Sequence, residues 1–236
     1  MKRLCDRRTA LLLVNSPHNP SGSIVSEAIR RDLHDFCVER KIQFVSDQVF
    51  HPIYYGPSVP TAATLPHATV VGDFSKALCL TGLRVGWIIE RNRERLAKYR
   101  EARTYFTVSN SPWLAVLAIQ HRGAIYERAR DMSVTNLQLI ESMWSFRNDP
   151  ICWVKPRGGF TLFPWFHAER DTRVLCERLG AAGILAVPGD CFGMPSHVRV
   201  GFGAPPDEFA PGFERLNAEI EVYFLQRRQQ STVLVP

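Results

Sequence analysis

Three short apolar runs, separated by segments of other character, constrain this chain most. TALLLVN (9–15), IQFVSD (42–47) and ATVVGDF (68–74) each have the length and β-rich make-up of a buried strand. Between the first two lies SEAIRRDLHDFCVERK (26–41). It places Ile29, Leu33, Phe36 and Cys37 on one helical face and offers Ser26 as N-cap. RVGWIIE (84–90) reads as a fourth strand, and helical patterns follow over about 91–103, 112–121 and 125–146. Strands alternating with helices predict α/β units around a mostly parallel sheet.

The texture changes near residue 150. ICWVKP, GGFTLFPWF, GILAVPG and HVRVGFG are short strand candidates divided by Pro and Gly, with a helix over 171–180 between the second and third. A long amphipathic stretch, 205–228, predicts a terminal helix, and QQSTVLVP reads as a frayed tail. The expected organisation is therefore an α/β part over 1–140 and a smaller α+β part over 141–236.

Composition narrows the function classes. The chain has 236 residues, 45% hydrophobic and 22% charged, enough for one large domain or two small ones with a core. The net charge of +6 admits a nucleic-acid partner. Much of the charge, however, sits in ERNRERLAKYREAR (90–103), where acids alternate with bases as on a solvated helix face. No nucleic-acid partner is expected. The longest apolar run, WLAVLAI (113–119), is too short to span a bilayer. Six scattered cysteines without a C-x-x-C pair read as buried free thiols in a reducing compartment, so the expectation is a cytoplasmic protein. No metal site is expected, since neither H-E-x-x-H nor a Walker pattern occurs.

DFSKALCLTGLRVGW (73–87) poses the chemical question. Lys76 alone would read as a surface lysine. Asn19 sits in a turn after the first strand, Asp47 ends the second, and Arg84 follows the lysine by eight positions. Ligands collect at the carboxyl ends of strands in open α/β sheets, so Asn19, Asp47 and Lys76 can converge on one crevice. A lysine amine forms a Schiff base with an aldehyde. A carboxylate holds a pyridine nitrogen protonated. An amide donates to a phenolate oxygen, and an arginine grips a phosphate. Pyridoxal 5′-phosphate carries all four features, and Ser75 adds a hydroxyl for the phosphate.

NSPHNPSG, SDQVF, DFSKALCLTGLRVGW and HVRVGFG resemble, in order and spacing, the motifs of the class I and II aminotransferases, the fold-type-I pyridoxal-phosphate enzymes. The resemblance implies an incomplete large domain plus a small C-terminal domain, and amino-group transfer between an α-amino acid and a 2-oxo acid. It makes Lys76 the Schiff-base lysine and Asp47 the pyridinium partner. Asn19 becomes the contact to the phenolic oxygen, Arg84 a phosphate ligand, and Arg199 the binder of the substrate α-carboxylate. Members usually dimerise with residues shared across the interface, so a homodimer is among the implied assemblies. Other chemistry on the same cofactor is open at this point: a lyase, a decarboxylase, or a cyclising enzyme similar to capreomycidine synthase. So is a non-catalytic fragment.

The pattern also departs from the family. Phe50 stands where many relatives have a tyrosine that donates to the phenolate oxygen, and Asp73 where a serine is usual. An acid there repels a phosphate unless it points away or pairs with a base. No glycine-rich phosphate loop precedes Asn19, so the resemblance covers the C-terminal part of the family fold. The expectation is a truncated gene, a misplaced start or a partner chain that supplies the rest. PRGGF (156–160) reads as a turn into a strand near the substrate entrance. Cys191 reads as a buried thiol, His51 as a pocket or backbone-satisfied residue, and Tyr54 and Tyr55 as loop packing.

Overall fold

The computed structural model describes residues 1–103, 112–144, 147–148, 150–167 and 169–233. They form two compact units. The first comprises Met1–Asn19, Ser23–Arg130 and Arg157–Gly159; the second comprises Pro20–Gly22, Asp131–Pro156 and Phe160–Pro236.

The first unit holds a four-stranded sheet in the order β1 (Leu11–Asn15), β2 (Gln43–Asp47), β3 (Ala68–Asp73) and β4 (Gly86–Ile89). β1–β2 and β2–β3 are parallel, in keeping with the expected mostly parallel sheet, and β3–β4 is antiparallel. Parallel neighbours need a crossover, which α1 (Glu27–Arg40) supplies between β1 and β2. Ser26 caps α1, its hydroxyl accepting from Ile29 N–H at 3.3 Å. Val14, Leu33, Cys37, Phe44, Leu65 and Val70 form the core between helix and sheet. The buried face of α1 runs Arg30, Leu33, His34, Cys37, and Ile29 is 56% exposed. That corrects the expected face by one position. Arg30 takes the inward site because its guanidinium reaches the Pro60 carbonyl.

α2 (Arg93–Ala102), α3 (Pro112–Gln120) and α4 (Arg122–Met143) follow β4, close to the predicted helices. The predicted end of the last of these, at 145–146, lies outside the described residues. Arg84 is not in the fourth strand. It ends a short 3₁₀ turn (Thr81–Leu83) in the left-handed conformation, φ 51°. The chain needs that reversal to return antiparallel to β3.

The second unit has two small antiparallel sheets. One orders β5 (Arg147–Asn148), β6 (Ile151–Cys152) and β8 (Trp165–Phe166); the other orders β7 (Thr161–Leu162), β10 (Val198–Gly201) and β9 (Val187–Pro188). The single strand expected in GGFTLFPWF is two strands in different sheets. Pro164 lies at the break, where it has no N–H for a ladder, and its carbonyl accepts from Val198 at 2.9 Å. α5 (Arg173–Ala181) and α6 (Pro206–Val233) cover this unit with Leu175, Leu179, Phe213, Leu216, Ile220 and Phe224. Buried Asn136 of α4 donates to the carbonyls of Phe202 and Ala204 at 2.9 and 2.8 Å, which fixes the end of β10. α6 continues into the stretch expected to fray, and 234–236 lie outside the described residues.

Among the described residues no helix is long and apolar enough to cross a membrane, and no cluster of ligating side chains could hold a metal. All six cysteines are free, but only Cys37 and Cys152 are buried as expected; Cys5 and Cys176 are half-buried and Cys79 is exposed. Cys191 is exposed rather than buried, because it sits on a 3₁₀ turn (Gly189–Phe192) at the surface of the second unit.

Candidate functional site

The strand register brings the carboxyl ends of the first unit's sheet together. Asn15 at the end of β1 stands opposite Asp47 at the end of β2, and Asp47 stands opposite Val71 of β3. β3 runs two residues further, to Asp73, before the lysine turn.

Hydrogen bonds then connect the three candidate positions. Asn19 N–H donates to Asn15 Oδ1 at 2.7 Å, and Asn15 Nδ2 donates to the Asp47 carbonyl at 3.4 Å. Val49 N–H donates to Asp47 Oδ1 at 3.1 Å, and the Val49 carbonyl accepts from Ala77, next to Lys76, at 3.2 Å. Asn19, Asp47 and the lysine turn are therefore tied into one path of short bonds. Asn15, which sequence reasoning passed over, is the first tie. Its only sequence signal was an amide-bearing residue at a strand end.

The chemistry available there is specific. Asp47 is half-buried, with one carboxylate oxygen oriented by Val49 and, among the described residues, no partner on the other. Lys76 is exposed, and no described residue pairs with its Nζ. Asn19 is also exposed. Ser75 is half-buried, its carbonyl accepting from Thr81 Oγ1 at 3.1 Å. Arg84 is exposed and adjoins Val85, whose carbonyl accepts from Phe74 N–H at 3.0 Å. Among the described residues, a carboxylate with a free oxygen, an unpaired amine, a hydroxyl and an unpaired guanidinium make up a donor and acceptor set whose chemistry fits pyridoxal 5′-phosphate.

Asp73 does not point away unpaired. Its Oδ1 accepts the N–H groups of both Ser75 and Lys76 at 3.1 Å. Phe50 is 6% exposed, and its ring lies against Gly159, which has φ 74°. Arg157–Gly159, within the PRGGF run, packs on the loop that follows Asp47. Tyr55 N–H donates to the Arg157 carbonyl at 2.9 Å, Gly159 N–H to Ile53 at 3.1 Å, and the Tyr55 hydroxyl to the Gly159 carbonyl. A Cβ on Gly158 would stand 2.5 Å from the Ile53 carbonyl oxygen. His51 Nδ1 lies 2.8 Å from the Tyr54 hydroxyl, so it is satisfied by a side chain rather than by backbone. Burial, helped by the nearby Arg30 charge, holds the His51 pKa below its ordinary value. Burial pushes the Tyr54 phenol up to about 12, against the opposing Arg30 charge.

Arg199 belongs to the second unit. It is half-buried on β10, opposite Val187, with its guanidinium 5.5 Å from the Phe192 ring centroid.

Comparison with known proteins follows the same lines. The family model for "Aminotransferase class I and II" matches residues 1–216. Capreomycidine synthase of Streptomyces vinaceus is 32% identical over 235 residues, 97% of this chain and 60% of that protein. A probable aspartate/prephenate aminotransferase of Aquifex aeolicus is 28% identical over 246 residues, 94% of this chain and 60% of that protein. The structure of a PLP-dependent aminotransferase from Streptococcus suis superimposes with a TM-score of 0.84 at 23% identity, covering 93% of this chain and 59% of that one, which shows the fold. The chain thus spans about 60% of the length of the relatives it matches, and its fold is that of the fold-type-I enzymes. With its motifs in order, its strand-end groups tied together and the family model matching nearly end to end, the chain belongs to the class I and II aminotransferase family, whose cofactor is pyridoxal 5′-phosphate.

Proposed function

We propose that this chain carries the cofactor lysine of a pyridoxal-phosphate-dependent aminotransferase that moves an amino group between an α-amino acid and a 2-oxo acid. The observation that carries the reading is the hydrogen-bonded path from Asn19 through Asn15, Asp47 and Val49 to Ala77.

In this reading Asp47 keeps its open oxygen for the ring nitrogen and holds the proton there. Asn19 donates to the phenolic oxygen, and Ser75 and Arg84 take the phosphate. When bound, the cofactor supplies an electron sink for the substrate Cα. Lys76 anchors the cofactor, and its amine moves the proton at that carbon. Arg199 as the α-carboxylate ligand rests on the family resemblance, with 1–140 read as the large domain and 141–236 as the small one. Phe50 leaves the phenolic oxygen to Asn19. A homodimer and a cytoplasmic location complete the reading, the latter favoured by six free thiols.

A second reading, a cyclase on the same cofactor, is favoured by the 32% identity to capreomycidine synthase. Product analysis separates the two. An aminotransferase yields a new amino acid from an added 2-oxo acid, whereas a cyclase consumes its amino acid without one.

The test of the common core is covalent. Protein incubated with pyridoxal 5′-phosphate and reduced with borohydride should carry a pyridoxyl group on Lys76, found by peptide mass spectrometry. Lys76→Ala should carry none there and no comparable label elsewhere. Equal labelling of that variant would end the proposal.

A further inference from the structure

The geometry points to Asp73 as the positioning residue of the lysine turn, acting through backbone rather than by touching a ligand. This rests on reading Lys76 as the cofactor lysine. β3 ends at Asp73, so the amides that follow have no ladder partner and need another acceptor. Phe74 N–H finds the Val85 carbonyl at 3.0 Å, Ala77 the Val49 carbonyl at 3.2 Å, and Cys79 the Lys76 carbonyl at 2.9 Å. Ser75 and Lys76 donate instead to one side-chain oxygen, Asp73 Oδ1, both at 3.1 Å.

Two consecutive amides aimed at one point form an anion cradle. Here the chain's own carboxylate fills it, through charge-assisted bonds stronger than neutral ones. The Ser75 and Lys76 amides therefore depend on one acid. The opposite strand makes room for it. Asp73 pairs with Gly86, and a Cβ on Gly86 would lie 3.2 Å from the Gly72 carbonyl oxygen and 3.7 Å from Asp73 Cβ. The same arrangement resolves the departure from the usual serine. The acid does not face a phosphate as a loose charge, because both amides share it. It also withholds those two amides from the ligand, which leaves the phosphate to the Ser75 hydroxyl and Arg84.

Amide hydrogen exchange followed by NMR tests this on the whole chain. In Asp73→Ala the Ser75 and Lys76 amides should exchange about tenfold faster or more, with Thr69 and Val70 unchanged as controls for the fold. Asp73→Asn, which keeps a side-chain carbonyl for the turn, should stay within about threefold of wild type. Borohydride-fixed labelling of Lys76 should slow about fivefold or more in Asp73→Ala and recover in Asp73→Asn. Should Asp73→Ala fail to fold, Asp73→Glu, one methylene too long for the turn, makes the same comparison. Unchanged exchange at Ser75 and Lys76, or an Asn variant as fast as the Ala variant, overturns the assignment. Wild-type protein that shows the expected exchange but never labels at Lys76 overturns the lysine reading, and with it the functional part of this inference.

Discussion

The two ends of the four-stranded sheet handle their polar side chains in opposite ways. At the amino-terminal end the groups close on one another. Gln43 Nε2 donates to Thr69 Oγ1 at 3.0 Å and to the Tyr99 hydroxyl, Thr69 donates to Glu90 at 2.6 Å, and Glu90 pairs with Arg95 at 2.8 Å. Glu90's side chain is 2% exposed. Burial alone would raise its pKa, but the hydrogen bonds of Thr69 and Asn92 and the Arg95 charge outweigh that and hold it below the ordinary value. At the carboxyl end Asp47 and Asp73 orient backbone amides, and Asp47 Oδ2, Lys76 Nζ and the Arg84 guanidinium have no partner among the described residues. Closure marks polar groups that hold the fold together. Under the proposed function, the open groups at the other end are the ones left for a ligand.

Substitutions at the two ends should therefore fail in different ways, and the largest effect should come from the open end. Asp47→Asn keeps an acceptor for Val49, so its melting temperature should hardly move. An amide cannot hold a proton on the ring nitrogen, and single-turnover amino transfer should fall about 100-fold or more. A variant that unfolds early yet reacts at the wild-type rate would reverse the two ends.

Glu90→Ala should do the converse. Leaving Arg95 and Thr69 without their acceptor should lower the unfolding free energy by about 3 kcal/mol in a denaturant titration, with Lys76 labelling unchanged. The depressed pKa also sets a sign. The stability Glu90 contributes is full above its unfolded pKa, near the ordinary 4.5, and is lost as pH falls below that through its lower folded value. Wild-type protein should thus lose stability on acidification below about pH 4.5 more steeply than Glu90→Gln, measured by melting temperature against pH.

Smaller effects sharpen the frame around the open end. Gly158→Ala drives a methyl into the Ile53 carbonyl and should cost about 2 kcal/mol, with faster amide exchange across 50–55. Tyr55→Phe removes only the hydroxyl that donates to Gly159 and should cost about 1 kcal/mol by the same denaturant titration.

Much of this was legible in the chain, for physical reasons. Strand and helix periods differ, so the order of elements in the first unit could be read directly, as could Ser26 as a cap. That Asn19, Asp47 and the lysine turn lie at the carboxyl ends of neighbouring strands followed from the rule that strand ends in a parallel sheet share a side. What failed to show was local geometry set by tertiary partners. Ile29 looks like a core residue until Pro60 is seen to accept from Arg30. Arg84 sits in an apolar run that reads as strand, yet the reversal into β4 needs a left-handed residue there. Pro164 splits a continuous apolar stretch between two sheets. Asn15 and Asp73 act through side-chain hydrogen bonds to backbone groups, and no periodicity reports those.

The central claim is that one small heterocycle meets Asn19, Asp47 and Lys76 together, and a titration of isotope-labelled protein with pyridoxal 5′-phosphate tests it most directly. The account predicts that the amides of Asn19, Val49, Ser75 and Lys76 shift along one binding curve, while those of Gln43, Thr69 and Glu90 stay in place. Shifts confined to one of the three strand ends, or strongest at the closed end of the sheet, would contradict it.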